Sequence, residues 1–151
     1  MEKQINNIIA ILMLVVSVSV FAQTDQKAAD EVMARARAQW AAEMAGNPAT
    51  DQLAEEYTQF VPGIPVLMDG KDFITPFYEI NTKEGAEVLA ADMANPRVQV
   101  YGNVAILTYN FIGTIKNKDG KIKPRLSKST RVYVKKGGEW MLVHANFAPL
   151  D

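Results

Sequence analysis

The groups able to do chemistry in this chain are few, and most lie near its C-terminal end. The sequence holds a single histidine and no cysteine, which removes disulfides, thiol nucleophiles, most structural zinc sites and the usual multi-histidine catalytic metal centres. Arg131 stands within Ser129-Thr130-Arg131-Val132-Tyr133. A guanidinium inside a long strand must find acceptors, and its planar fork suits a carboxylate, either of a ligand or of an internal acid such as Glu79 or Asp92. His144 is a candidate general base or pH-sensitive hydrogen bonder, although a lone strand histidine more often serves packing. Asp69 would fit the proton-shuttling carboxylate of an isomerase if an apolar pocket raised its pKa. Its place immediately before Gly70 is also that of a turn residue, and neither Tyr109 nor Tyr133 is placed beside it as an oxyanion donor.

These residues need elements to hold them. From Thr24 or Asp25, Ala29, Val32, Met33, Ala36, Trp40 and Met44 recur at spacings of three and four, which predicts a helix that stops at Gly46-Asn47-Pro48. A second, short helix is expected from Asp51 to about Tyr57, capped by Thr50 or Asp51. Tyr57 to Met68 reads as two short strands joined by a turn around Pro62-Gly63 and Pro65, followed by a helix through Phe73, Phe77 and Tyr78 that Pro76 should keep short. The rest reads as sheet: Glu87 to Met93, Arg97 to Tyr101, Val104 to Ile115, Lys123 to Lys136 and Glu139 to Phe147. Gly102-Asn103, Asp119-Gly120 and Gly137-Gly138 punctuate it with tight-hairpin pairs, so consecutive antiparallel strands are expected. Helices followed by a meander make an α+β layout, without repeats or linkers.

Counting outward from Gly137-Gly138 pairs Tyr133 with Leu142, Arg131 with His144 and Ser129 with Asn146. The same count about Asp119-Gly120 sets Asn110 opposite Ser129 and Thr108 opposite Arg131. One face then gathers Thr108, Asn110, Ser129, Arg131, Tyr133, His144 and Asn146 beside Ile106, Trp140 and Leu142. The other carries Leu107, Tyr109, Phe111, Val132, Val134, Met141, Val143 and Phe147. A single bulge would exchange part of the set. Three helices shield only one side of a curved sheet, so the surplus apolar face predicts a partner, and self-association is expected. Lys116, Lys118, Lys121 and Lys123 cluster on a hairpin and read as a solvated loop.

At the other end, Lys3 precedes an apolar run from Ile8 to Val20, and Val20 and Ala22 occupy the positions that a signal peptidase reads. Residues 1–22 are therefore expected to form a signal peptide cleaved after Ala22, the run being shorter than the roughly 20 apolar residues of a membrane span. The protein is expected to be periplasmic or secreted, with no membrane span after cleavage and a single domain over 23–151. About 129 residues remain, enough for one core. Because Glu2 and Lys3 leave together, the formal charge stays at −1, and nothing draws the whole molecule to nucleic acid.

Ser129-Thr130-Arg131-Val132-Tyr133, followed by Gly138-Glu139-Trp140-Met141-Leu142-Val143-His144, resembles the C-terminal hairpin of the association (hub) domain of calcium/calmodulin-dependent protein kinase II. Asp69-Gly70-Lys71-Asp72-Phe73 with Phe77-Tyr78-Glu79, and Asn95-Pro96-Arg97-Val98-Gln99-Val100-Tyr101-Gly102, look like the middle helix and sheet entry of that family. The kinase segment is absent, so the likeness is to stand-alone bacterial relatives in the nuclear-transport-factor-2-like superfamily, which also holds SnoaL-like cyclases and ketosteroid-isomerase-like proteins. The resemblance implies a cone: a strongly bent antiparallel sheet wrapped around the long N-terminal helix, a pocket at its open end, and dimerisation through the sheet. In hub domains a basic cluster in the pocket takes small carboxylates, and Arg131 matches one member. Other positions of that cluster fall on Asn110 and Phe147, an acidic one falls on Val61, and the closing motif has Asn146, Phe147 and Ala148 where a histidine, a basic residue and a serine are usual. The resemblance and the strand pairing together give Arg131, Tyr133, Asn110, His144 and Asn146 as candidate ligand contacts, with no metal and no cofactor. The favoured reading is a homodimer or higher oligomer binding a small, partly apolar or carboxylate molecule. The alternative is a cofactor-independent, metal-free isomerase, dehydratase or cyclase of ketosteroid-isomerase-like or SnoaL-like type, working through His144 or a pocket carboxylate.

Overall fold

The computed structural model of the chain describes residues 25–47 and 49–150; the leader expected over 1–22 lies outside them. Helix α1 spans 25–44. Its buried stripe is Ala28, Val32, Ala36 and Trp40, with Gln39 beside them, and Met33 packs at the margin while Met44 is exposed. The stripe therefore starts one residue before the expected Ala29. The helix ends where Gly46 takes a positive φ of 75° and Asn47 N–H donates to the Ala42 carbonyl at 2.9 Å. A left-handed residue just past a helix closes its free carbonyls, and glycine adopts that conformation without strain.

The second helix expected from Asp51 to Tyr57 is reduced to one 3-10 turn, Thr50–Gln52, after which strand β1 runs Leu53–Phe60. Leu53, Ala54, Tyr57 and Gln59 face the core, while Glu55 and Glu56 face out. Pairing with the sheet overrides the local helical preference of the Asp-Gln-Leu-Ala-Glu-Glu run. A two-residue strand, β2 (Met68–Asp69), pairs antiparallel with β1. Helix α2 then runs Lys71–Lys83, extending well beyond Pro76, which should have kept it short. The proline costs the helix one N–H bond and its flanking turns carry on.

Four long strands complete the sheet: β3 (Glu87–Tyr101), β4 (Val104–Lys116), β5 (Ile122–Lys136) and β6 (Glu139–Pro149). The two segments expected before Gly102 are one strand with a bulge at Asn95-Pro96, where Asn95 has φ 52°. The spatial order is β2-β1-β6-β5-β4-β3. The meander from β3 to β6 is antiparallel as expected, and β1 adds one parallel pair by lying along β6. The result is an α+β fold, an open six-stranded mixed sheet bent around α1.

Register decides which residues share a face, and here two expectations are corrected. The Gly137-Gly138 turn pairs Lys136 with Glu139 and Tyr133 with Leu142 as counted, but Val143 is bulged out, so Arg131 faces Ala145, and His144 faces Val132. At the other hairpin, residues 117–121 form the loop, closed by Asn117 N–H to Lys121 O at 2.9 Å, and Lys116 pairs with Ile122. That odd-numbered loop sets Leu107, not Thr108, opposite Arg131, and Tyr109, not Asn110, opposite Ser129. One-residue shifts reverse faces. Ser129, Arg131 and Tyr133 therefore keep company with Leu107, Tyr109, Phe111, Leu142 and Ala145 on the inner, buried face. Thr108, Asn110, His144 and Asn146 lie on the outer face with Val132, Val134 and Met141. The inner face and α1 make one core, in which each large apolar side chain contributes about 1.5–3 kcal/mol by leaving water.

Candidate functional site

Between the C-terminal half of α1, the inner face of the sheet, α2 and the loop at 61–64 lies a cavity of about 990 Å³. Arg131 is its chemical centre. Only 1% of it is exposed, and Nη1 donates to Gln39 Oε1 at 2.7 Å. The guanidinium carbon lies 4.7 Å from the Trp40 ring centre, 5.7 Å from that of Tyr109 and 5.8 Å from that of Phe147. This aromatic surround stabilises a cation through ring quadrupoles but supplies no countercharge. Nε has no hydrogen-bond partner, and no carboxylate among the described residues forms an ion pair with Arg131. Glu79 pairs instead with Lys83, and Asp92 accepts the Met93 N–H. A buried guanidinium stays charged at every accessible pH, so it presents unused donors to whatever occupies the cavity.

A second polar group faces the cavity from β1 and α2. Gln59, fully buried, accepts at Oε1 from the Tyr57 hydroxyl at 2.6 Å and from the Tyr78 hydroxyl at 2.9 Å, while its Nε2 approaches Met68 Sδ at 3.3 Å. Burial raises the pKa of Tyr57 well above its ordinary value, and burial with the nearby Glu43 carboxylate pushes Tyr78 up to about 12. Both phenols thus remain donors in neutral solution. Glu43, in the last turn of α1, also lines the cavity. Burial raises its pKa, against the pull of Arg131 and Arg125 in the opposite direction. The remaining lining is apolar, chiefly Trp40, Ile64, Phe77, Phe111 and Phe147, with Phe111 tilted against Trp40 at 4.6 Å between ring centres.

Of the candidate ligand and catalytic residues named from sequence, the structure brings only Arg131 into the cavity lining. Tyr133 shares its strand face and is buried with its hydroxyl unpartnered, outside the cavity lining. Asn110 and Asn146 lie on the outer face for the reasons of register given above. His144 is there too, with Nδ1 2.9 Å from Thr58 Oγ1 and its ring edge-on to Phe60. Asp69 ends β2 away from the cavity, beside Gly70 at φ 85°. Gln39, Glu43, Tyr57, Gln59, Tyr78 and Arg125 went unread. Gln39 did leave a trace, a polar residue inside an apolar helical stripe. Tyr57 was hidden by reading the first half of β1 as helix, and Gln59 lay in a segment read only as a short strand before a turn.

The fold and this pocket invite comparison with known proteins. The family model for the calcium/calmodulin dependent protein kinase II association domain matches residues 28–149. The chain belongs to this association-domain family. Among solved structures, this association domain is similar to the hub homology domain of Chlamydomonas reinhardtii, with 26% identity and a TM-score of 0.68 over 82% of this chain and 98% of that one. It is similar too to the hub of S. rosetta, with 25% identity and a TM-score of 0.66 over 81% and 96%. A nuclear-transport-factor-2-like protein from Streptomyces avermitilis, 16% identical with a TM-score of 0.71 over 83% and 98%, shares the cone fold. No curated protein sequence matches. The association domain thus keeps the family's frame around a cavity whose cationic, aromatic and amide groups are now explicit.

Proposed function

We propose that this chain is an exported, self-assembling association domain that holds a small, partly apolar carboxylate in its cone. Assembly is carried by one observation: among the described residues, the outer face of the sheet carries a band of uncovered apolar side chains between its polar ones. Phe60, Ile112 and Leu126 are 46%, 48% and 46% exposed, and Ile106, Val132, Val134, Met141 and Val143 are only half-buried around them. An exposed apolar band of this kind commonly marks an interface, and a second copy with the same band would bury both. The names hub and association domain, borne by the similar proteins, support the same reading. For the ligand, support comes from Arg131, a buried cation with an unpartnered Nε and no acid of its own. A carboxylate or a similar small anion would complete it by charge-assisted bonds.

Residues 1–22 would direct export and be removed after Ala22. No observation favours catalysis through His144 or Asp69, since both lie off the cavity. The assembly is tested by sedimentation of the purified protein at tens of micromolar: a dimer or larger is expected, and a monomer would overturn it. The ligand is tested by native mass spectrometry of the protein as isolated, where a copurifying carboxylate should be lost in Arg131→Met. Retention in that variant would remove Arg131 from the site.

A further inference from the structure

The charges that line the cavity have an uneven balance. Seven ionised side chains contribute: Glu43, Glu87, Lys116, Lys118, Asp119, Arg125 and Arg131. Four of these are already neutralised at the mouth, where Lys116 pairs with Glu87, Lys118 with Glu84, and Asp119 with Lys121. Arg125 and Arg131, both on the inner face of β5, and Glu43 on α1 are in no ion pair among the described residues. Inside the mouth, therefore, two fixed positive charges face one carboxylate. The surplus is a single positive charge, and it matches a single negative one.

We propose that Glu43 sets the charge of the ligand, admitting a monocarboxylate and turning away a dicarboxylate, and that it couples binding to the uptake of a proton. This rests on the carboxylate reading of the cavity given above. The coupling follows from where Glu43 sits. It is half-buried in the last turn of α1, at the negative end of that helix. It lines the same cavity as Tyr78 of α2, Tyr57 of β1 and Arg125 and Arg131 of β5, one helical turn beyond Gln39, which accepts from Arg131, while the lysines of the mouth are engaged by their own acids. Neither tyrosine carries charge in neutral solution. Burial raises the pKa of Glu43, and the two arginines oppose that rise while the cavity lacks an anion.

An anion that takes the guanidinium donors removes this support and adds a like charge nearby, so the proton affinity of Glu43 rises. The proton comes from solvent and ends on a Glu43 carboxyl oxygen. A group whose pKa is higher in the bound state makes binding stronger at lower pH, with the gain accruing as pH falls from the bound pKa toward the free one. A second ligand carboxylate would face Glu43 with no cation left to match it. It would bind well only if Glu43 were neutral.

The matched probes are hexanoate and adipate, of equal chain length with one carboxylate or two, titrated into the purified protein by calorimetry in two buffers of different ionisation enthalpy. Hexanoate should bind about tenfold more tightly than adipate near pH 8, a ratio typical of one uncompensated charge in a partly buried site. Its binding should consume a fraction of a proton and strengthen as pH falls. In Glu43→Gln, which keeps size and removes charge, adipate should bind at least as well as hexanoate, and buffer-dependent heat should vanish. A ratio and a proton uptake unchanged by Glu43→Gln would overturn the proposal while leaving the ligand reading intact. Hexanoate binding that survives both Arg131→Met and Arg125→Gln, or a wild-type protein that binds neither probe, would instead overturn the carboxylate reading and this proposal with it.

Discussion

Arg131 and Glu43 show how one residue's environment decides what it can do. The strand spacing around Arg131 was enough to single it out, because a guanidinium needs acceptors wherever it lies. Glu43 was invisible, since nothing in the sequence tells that the end of α1 meets β5. Its carboxyl has a stability consequence independent of any ligand. Burial gives Glu43 a higher pKa in the folded protein than its ordinary value of 4.5. Between those two values the folded state binds more protons than the unfolded one, so stability falls as pH rises through that window. Glu43→Gln should accordingly raise the melting temperature of the ligand-free protein near pH 7 and have no effect once the pH is below about 4. Thermal melts at the two pH values check this. Glu31 runs the opposite way: Lys135 and Trp140 hydrogen-bond its carboxylate and lower its pKa, so its contribution is present at neutral pH and is lost as acid titrates it. Glu31→Gln should therefore weaken the protein at pH 7 more than in acid, by the same measurement.

At the scale of elements, the meander was legible because each hairpin carries its own glycine pair, and α1 because its apolar stripe ends at glycine. What could not be read was parity. A loop over 117–121 in place of a two-residue turn, and one bulge at Val143, are set by packing as much as by local sequence, yet each turns Asn110, His144 or Asn146 away from Arg131. The first half of β1 was misread as helix for a related reason, since its partner β6 lies far along the chain. Gly113 is a further element-level device. A methyl group there would come within 2.8 Å of the Ala90 carbonyl oxygen as well as meeting the Phe111 ring, which lies over the glycine. Phe111 in turn packs against Trp40, beneath the guanidinium. Gly113→Ala should cost about 1–3 kcal/mol, because the opposing atom is backbone and must shift β3. Leu107→Ala, which empties a fully buried position of the same strand, should cost about 2–5 kcal/mol. Urea unfolding of both variants reads these values.

The described sheet has one enclosed face and one open face, and the proposed assembly places a second copy against the open one. Val132 lies at the centre of that outer face, paired with Ile106 on β4 and His144 on β6. Val132→Lys should leave the fold unchanged and shift the assembly to monomers, because a lysine there is easily solvated by an isolated subunit and costly to bury against a second one. Sedimentation at several protein concentrations distinguishes this from general destabilisation, which circular dichroism would report.

The strand order carries a consequence for biosynthesis. The last strand of the described residues, β6, sits between β1 and β5, joining the earliest strands of the sheet to the rest. Until Glu139–Pro149 has left the ribosome, β1 has no long partner and α1 has only half a floor to rest on. Contacts between such distant segments form slowly. The core of the described residues therefore closes only when its two most distant long strands meet, which makes the β1–β6 pairing a late step of folding.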